Sequence, residues 1–530
     1  MSCRKFDYLL HHLLRRSAQT YPEKEALVHG KQRLTYGEVI AAVAALSRGL
    51  RAAGLKRCDR VGIFLEHSIP QALSIFAVSS ANAVFVPISH LLFPDQAAHI
   101  MSDCSMTALI TTKARFRSLE PLLTRIPSLS FAVVLNEGEL PKCNFPVHVF
   151  ENLCTSHSPT PLDDEAIERD LAGILYTSGS TGKPKGVMLS HAQIMAGASI
   201  VSAYLDVTES DRILSVLPFS FDAGLNQLTT AFQQGSTLVM LQFAFARDIV
   251  QTLVRERITG LAGVPTLWSL LAQPQSGLHK TRFPDLRYIT NTGGAMPRTV
   301  LTTLQNHLPS TTVFLMYGFT EAFRSTYLPP EELDRRPGSI GKAIPGTEIF
   351  VVNEHGLACK PGEVGELVHR GPTVSLGYWG KPELTSQILR PHPFLPPELQ
   401  DGEKVCYSGD LVKTDEDGFL YYVGRRDTMI KSSGYRISPT EVEEVLYQSG
   451  RVRGAAVIGV PDEILGQHIK AFVVANHEPP NPEALIDFCA EKLPRYMVPK
   501  CVEYLAELPK TASGKIDYPV LRHREEIVSS

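Results

Sequence analysis

Several kinds of chemistry are missing from this sequence. Its nine cysteines include no C-x-x-C pair and no Cys/His spacing suited to zinc, which excludes zinc ribbons and thioredoxin-type redox sites. An odd number of scattered thiols fits a reducing compartment, so a cytoplasmic location is expected. No sign of charge dominates. Lys and Arg number 52 against 55 Asp and Glu, for a net charge of −3, and neither a nucleic-acid partner nor an anionic membrane is expected. There is no G-x-S-x-G elbow and no H-E-x-x-H pair, so neither a serine hydrolase nor a zinc peptidase is encoded. No internal repeat or long low-complexity linker interrupts the chain.

Long apolar runs are also scarce. Residues 69–89 approach the length of a membrane span, but they contain Gln71, Asn82, several serines and two prolines. A buried helix followed by a strand ending at Pro87 is expected there, with no stable membrane insertion. The N-terminus, MSCRKFDYLLHHLLRRSAQTYPEKEALV, spaces its leucines as a helix does, and its histidines and arginines break any signal-peptide core. It reads as an opening surface helix, with a membrane-skimming helix as the alternative.

The 530 residues exceed one compact core, and 44% hydrophobic with 20% charged residues is ordinary for a globular enzyme. From about residue 25 to 425, short β-rich runs (RVGIFLE, ANAVFVPI, ALITT, FAVVLN, STLVMLQ, LRYITNTGG, TVFLMYG) alternate with helical patterns. The expected class is α/β, with a large N-terminal domain of parallel-rich sheets. Residues 347–425 (TEIFVVNEHG, GELVHRG, GFLYYVGR) read as a β-rich subdomain. The proline-rich stretch 387–404 reads as a surface loop. Residues 428–530 form a compact α+β unit. The domain boundary is set at 1–426 and 427–530, with the second domain small and mobile.

The most informative stretch is YTSGSTGKPKGV at 176–187. Thr177, Ser178, Gly179, Ser180, Thr181, Gly182 and Lys183 combine hydroxyl donors, close-approaching backbone amides and charge, and Lys185 adds a second ammonium. This is the chemistry of a polyphosphate grip. The pattern is not a Walker A loop: Thr177 stands where the first Gly belongs and Pro184 where the Ser/Thr belongs. The flanking LAGILYT and GVMLSHAQIMAGASIV predict a strand–loop–helix order, with helix N-terminal amides at the phosphate.

The twelve residues resemble the phosphate loop of the adenylate-forming superfamily, which includes acyl-CoA synthetases, peptide-synthetase adenylation domains and luciferases. The resemblance runs from about residue 10 to 522, and it implies that a carboxylate attacks the alpha phosphorus of ATP. YGFTE at 317–321 follows a strand end. There Tyr317 suits a purine, Thr320 a phosphate and Glu321 a Mg2+ ion. The resemblance gives these residues, with Gly318, the same roles. It lays Gly293, Gly294 and Ala295 of NTGGAMP against the adenine. It also assigns Asp410 of SGD to the ribose hydroxyls, a diol that a two-acceptor carboxylate suits. GRRDTMIKSSGYRISPTEVE at 424–443 resembles the hinge block. That similarity implies Arg425 at the ribose, Asp427 as hinge, and Gly434 and Tyr435 lining a thiol tunnel after rotation. PKTASGKID supplies Lys515, which in related enzymes bridges carboxylate and phosphate oxygens.

ATP with Mg2+ is therefore expected as co-substrate. The acyl acceptor is CoA or the phosphopantetheine of a carrier protein, which present the same thiol arm. In LPFSFDAG, Phe221 occupies a position where a His is common among acyl-CoA synthetases. The adjacent Asp222 resembles the peptide-synthetase residue that pairs with a substrate ammonium, while an Asp there also caps the following helix. Both readings stay open, and with them a stand-alone amino-acid adenylating enzyme that loads a carrier protein. By motif order the acid pocket adds Asn226, Ala262, Thr290, Thr292, Met316, Arg324 and Ser325. The set is polar and small, unlike a fatty-acid tunnel. Arg324 is suited to a second carboxylate or to a backbone group. The whole chain also resembles acid–thiol ligases found beside exosortase-type export clusters.

Overall fold

The computed structural model describes residues 7–135, 143–177, 184–400, 402–426, 428–432, 435–462, 465–476, 481–511 and 514–529. Two large sheets dominate. One has seven strands in the order Val147–Val149, Phe131–Leu135, Ala108–Thr112, Arg60–Phe64, Val84–Pro87, Leu171–Thr177, Lys185–Ser190, parallel except for the last pair. The other has fourteen strands, and its parallel centre runs Glu25–His29, Thr237–Met240, Arg212–Ser215, Gly260–Gly263, Tyr288–Asn291, Thr312–Tyr317. These central strands are short and buried along their length, as strands covered on both faces must be.

Helices Leu10–Thr20, Tyr36–Ala52, Ile69–Ser80, His191–Tyr204 and Asp222–Gln234 fill the space between the sheets. One core holds Phe76 and Phe232 from these helices with Val61 and Phe85 of one sheet and Leu238 of the other. The expected helix and strand within residues 69–89 are present as Ile69–Ser80 and Val84–Pro87. Among the described residues no helix is long and apolar enough to cross a membrane, and the described cysteines are free thiols.

The region 347–425 is β-rich as expected, and Ser339–Ala343, which pairs with both Thr326–Leu328 and Leu420–Arg425, joins its strands to the large sheet. Two expectations change. Within 387–404, Leu389–Pro391 adds a short strand to that sheet, and His392 is buried behind it. The opening helix is an interior element, with Leu10, His11, His12, Leu13 and Leu14 all buried. That burial excludes the membrane-skimming alternative. The C-terminal unit has its own three-stranded sheet, Val452–Asp462, Gly466–Ala475 and Cys501–Tyr504, with helices Pro439–Gln448 and Pro482–Lys492. Its core gathers Val442, Leu446, Val457, Ala471 and Leu485.

The two histidines of the opening helix are held by one acid. His11 Nε2 lies 2.8 Å from Asp164 Oδ1, His12 Nε2 3.0 Å from Oδ2, and Arg15 donates to Oδ2 at 3.2 Å. His12 Nδ1 accepts from the amides of Tyr8 and Leu9, which puts its proton on Nε2 facing the carboxylate. The three groups are near enough to hold a metal ion. However, that proton and the Arg15 charge occupy the place a cation would take, and the cluster reads as a clamp for the helix. Burial, then the neighbouring His11 and Arg15, lower the His12 pKa to about 4. Burial alone would raise the Asp164 carboxyl, but its bond from His11 and the surrounding charges hold it below the usual range.

Both shifts act in the same direction. A folded-state pKa below the unfolded one stabilises the fold at higher pH, and that stability is lost as pH falls toward the folded value. The thermal midpoint should therefore drop as pH is lowered from about 7 to about 5, because the unfolded histidines protonate near 6.5. His12→Asn should make the fall shallower, read by melting curves across that range.

Candidate active site

The expected phosphate loop is flanked by two paired strands. Leu171–Thr177 and Lys185–Ser190 pair antiparallel, with Thr177 opposite Lys185. Ser178, Gly179, Ser180, Thr181, Gly182 and Lys183 lie outside the described residues. The expected helix start after the loop is instead this second strand, and the helix begins only at His191. Two local features explain the difference. Ser190 accepts from Gln193 N at 3.3 Å while the Gln193 side chain returns to Ser190 N at 2.6 Å, a capping box that fixes the helix start. Gly186 lies so close to its partner strand that a Cβ there would sit 2.7 Å from Ile174 Cγ2.

At the start of the second strand, Lys185 Nζ stands 5.6 Å from the centre of the Tyr378 ring. Tyr378 donates its hydroxyl to Glu321 Oε1 at 2.5 Å. Burial, then the Glu321 charge, raise the phenol's pKa, so it stays a donor. Glu321 sits in the short turn Thr320–Ala322, directly after the strand Thr312–Tyr317. One carboxylate oxygen is anchored, and the group offers the hard oxygen that Mg2+ takes. Thr320 donates to Asp222 Oδ2 at 3.3 Å.

A second phenol–carboxylate bond forms beside it. Tyr317 donates to Asp410 Oδ2 at 2.5 Å, and Arg425 Nε lies 3.7 Å from Oδ1. Asp410 and Arg425 face each other across two adjacent strands. The Tyr317 hydroxyl is thus bound to the expected ribose acid, and its ring stands 6.2 Å from that of Phe319 and 6.3 Å from that of Tyr422. Asp427 and Gly434 lie outside the described residues. Tyr435 is half exposed and stacks on Tyr496 of the same C-terminal unit at 4.0 Å.

Lys515 enters from the C-terminal unit. Its Nζ lies 5.1 Å from the centre of the Phe221 ring. Its loop docks through Thr266 Oγ1, which donates to Gly514 O at 2.9 Å. Thr511 braces the turn, donating N–H to Lys515 O at 2.7 Å and accepting from Lys515 N at 3.2 Å. The Lys515 stem passes Gly293, whose φ is +80° and where a Cβ would sit 2.8 Å from Cε. Gly294 and Ala295 are exposed at the same edge, and Asn291 Nδ2 fixes Gly294 O at 2.9 Å.

The remaining pocket positions are buried: Phe221, Asp222, Asn226, Ala262, Thr290, Thr292, Met316 and Arg324. Asp222 opens the helix Asp222–Gln234, its Oδ1 accepting from Ala223 N at 2.6 Å. It therefore serves the helix start and holds Thr320 at once. Arg324 Nη1 donates to Thr292 Oγ1 at 2.7 Å. Ser325 is turned away from the pocket. Its hydroxyl is engaged by His369 Nδ1 at 3.0 Å, and burial keeps that His neutral, with a pKa lowered to about 3.

Sequence reading missed Tyr378, Thr266 and Tyr204, whose hydroxyl lies 3.3 Å from Met316 Sδ. Only Tyr378 had a local signal, the aromatic GYWG turn at 377–380. A cavity of about 230 Å³ lined by His29, Gln242 and Glu256 lies elsewhere and shares no residue with this cleft.

Comparison with known proteins agrees with this geometry. The AMP-binding enzyme model matches residues 14–379, and the AMP-binding enzyme C-terminal domain model matches 441–515. Feruloyl-CoA synthase of an Amycolatopsis species is 33% identical over 521 residues, covering 96% of this chain and 97% of its own. Tyrocidine synthase 1 of Brevibacillus parabrevis is 31% identical over 518 residues. That match takes in 97% of this chain, but this chain spans only 44% of that protein's length. The crystal structure of an anthranilate CoA ligase in complex with anthranoyl-AMP superposes with a TM-score of 0.90 at 26% identity, covering 100% of both chains. The chain belongs to the AMP-binding enzyme family, the ATP-dependent, AMP-forming acid ligases.

Proposed function

We propose that this chain activates a carboxylic acid in two half-reactions. In the first, a carboxylate oxygen attacks the alpha phosphorus of ATP, giving acyl-AMP and pyrophosphate. In the second, a thiol attacks the acyl carbon, forming the thioester and releasing AMP and a proton. The observation that carries this reading is the position of Lys515, whose stem crosses Gly293 and whose ammonium stands beside Phe221. An ammonium there meets the charge that develops as phosphorus becomes five-coordinate, and so favours the transition state over the ground state.

Lys185 and the loop at 177–183 hold the phosphates in this reading, and Thr320 donates to the alpha phosphate. Tyr317 and Asp410 take the nucleoside, with Arg425 at the ribose. Glu321 is the Mg2+ ligand, and a Mg2+ bound there would offset phosphate charge. After adenylation the unit from residue 427 onward turns about Asp427 and brings Gly434 and Tyr435 to line the thiol's path. The acceptor is a phosphopantetheine thiol, on CoA or on a carrier protein.

Asp222 favours a second reading, a stand-alone amino-acid adenylating enzyme loading a carrier protein, since a buried carboxylate suits a substrate ammonium. Its bonds to Thr320 and Ala223 hold the carboxylate in place, one on each oxygen, and leave a further acceptor site on each. Amino-acid-dependent pyrophosphate exchange that Asp222→Ala abolishes would establish it.

Lys515→Ala should slow adenylate formation by about a hundredfold or more, the size of a lost transition-state donor. Thioester formation from supplied acyl-AMP should be largely spared. Equal loss in both steps would rule out a role for Lys515 confined to adenylation. Gly293→Ala forces a side chain onto a left-handed backbone, at roughly 1–2 kcal/mol, and onto the path of the lysine stem. Adenylation should fall about tenfold, because about 1.4 kcal/mol is a factor of ten, with the thiol step again spared. Pyrophosphate exchange and thiolysis of supplied adenylate, run side by side, read both variants.

A further inference from the structure

Arg324 is 5% exposed. Nη1 donates to Thr292, while Nε is sealed from water and meets no acceptor. Among the described residues no carboxylate comes within ion-pairing range of it. Arg212, whose side chain is 23% exposed, is by contrast paired with Glu25 at 2.8 Å and Glu256 at 3.2 Å. A guanidinium cannot shed its proton to escape burial, and an isolated buried cation is costly. Among the described residues that cost is met only by the Thr292 bond and by the Phe323 ring, whose centre lies 5.6 Å from the guanidinium carbon.

The backbone is bent to put it there. Phe323, the residue before Arg324, has φ +27°, a conformation side chains rarely adopt. Such strain persists where the surrounding structure imposes it, and it gathers at ligand sites. The place is also informative. Thr292, which holds the guanidinium, precedes Gly293, the residue crossed by the Lys515 stem. Arg324 is thus tied to the strand end that also borders the reacting carboxylate in the ligase reading. A second buried donor, Asn226 Nδ2, likewise lacks a partner in the pocket set. With Nη1 occupied, the Nε–Nη2 edge is the side-on face that grips a carboxylate through two parallel bonds.

We propose that the acid this chain activates carries a second carboxylate, and that this group pairs with the Nε–Nη2 edge of Arg324. The reading rests on the ligase assignment and narrows it to dicarboxylic acids, with or without an amino group. Thr292 orients the guanidinium, and the substrate supplies the missing counter-charge.

The test is pyrophosphate exchange by the full-length enzyme with straight-chain and α-amino dicarboxylic acids of increasing length, each beside its monoamide. The panel also includes fatty and aryl monoacids. For at least one length, the diacid should exceed its monoamide in kcat/KM by about a hundredfold, the discrimination of a site whose buried polar group is left unpaired by the wrong substrate. Arg324→Gln should erase that preference by raising KM for the diacid, with KM for ATP unchanged. Equal activity of diacid and monoamide in the unaltered enzyme overturns the proposal whether or not the variant folds. Exchange with monoacids alone also overturns it while leaving the ligase reading intact. No exchange with any acid overturns both.

Discussion

The stem of Lys515 crosses the backbone at Gly293, where a Cβ would sit 2.8 Å from Cε. The lysine belongs to the small C-terminal unit, where Thr511 braces it, and Thr266, Gly293 and Phe221 meet it from the large one. Thr266 takes Gly514 O, Gly293 leaves room for Cε, and the Phe221 ring faces Nζ. These contacts are few and polar or glancing, with no large apolar seam among them. Contacts of that kind can part at modest cost, as the rotation proposed between the two half-reactions would require. The same economy explains why position 293 is a glycine in a left-handed turn. The backbone supplies the shape, and the absent side chain supplies the space.

Two acids of the cleft are fixed in the same way, each by a tyrosine. Tyr378 donates to Glu321 and Tyr317 to Asp410, both at 2.5 Å. Burial and the adjacent acid raise the pKa of each phenol, so it remains a donor. Each acid is thereby held in one orientation before any ligand arrives. A carboxylate that waits in place loses less side-chain entropy on binding and needs less reorganisation when charge develops nearby.

Much of this was legible in the chain, and the parts that were not share a cause. The strands RVGIFLE, ALITT and TVFLMYG were readable because buried parallel strands write continuous apolar runs. The motifs YGFTE and NTGG were readable because they follow strand ends, whereas SGD lies inside the strand Lys404–Thr414. The strand after the phosphate loop was not readable. GVMLSHAQ suits either a strand or a first helical turn, and the choice is made by a capping box at Ser190 and by the fit of Gly186 against Ile174. The opening helix read as a surface element because His and Arg interrupt its leucines. Only Asp164, some 150 positions away, turns those histidines into interior residues. Tyr378 was missed for a similar reason. It reaches Glu321 through folding, and nothing in GYWG names its partner.

The two charged residues of the acid pocket differ in one respect that the sequence could not reveal. Asp222 and Arg324 read alike as pocket charges open to a substrate. In the fold Asp222 is oriented by a helix amide and the Thr320 hydroxyl, one on each oxygen, whereas among the described residues the Arg324 side chain donates only to Thr292 and its buried Nε meets no acceptor. A buried guanidinium whose Nε meets no acceptor among the described residues is, under the proposal above, an ion pair that the ligand completes. Relatives at similar identity include a feruloyl-CoA synthase and tyrocidine synthase 1. Family membership therefore fixes the chemistry at phosphorus and leaves the acid to be read from such local imbalances of charge.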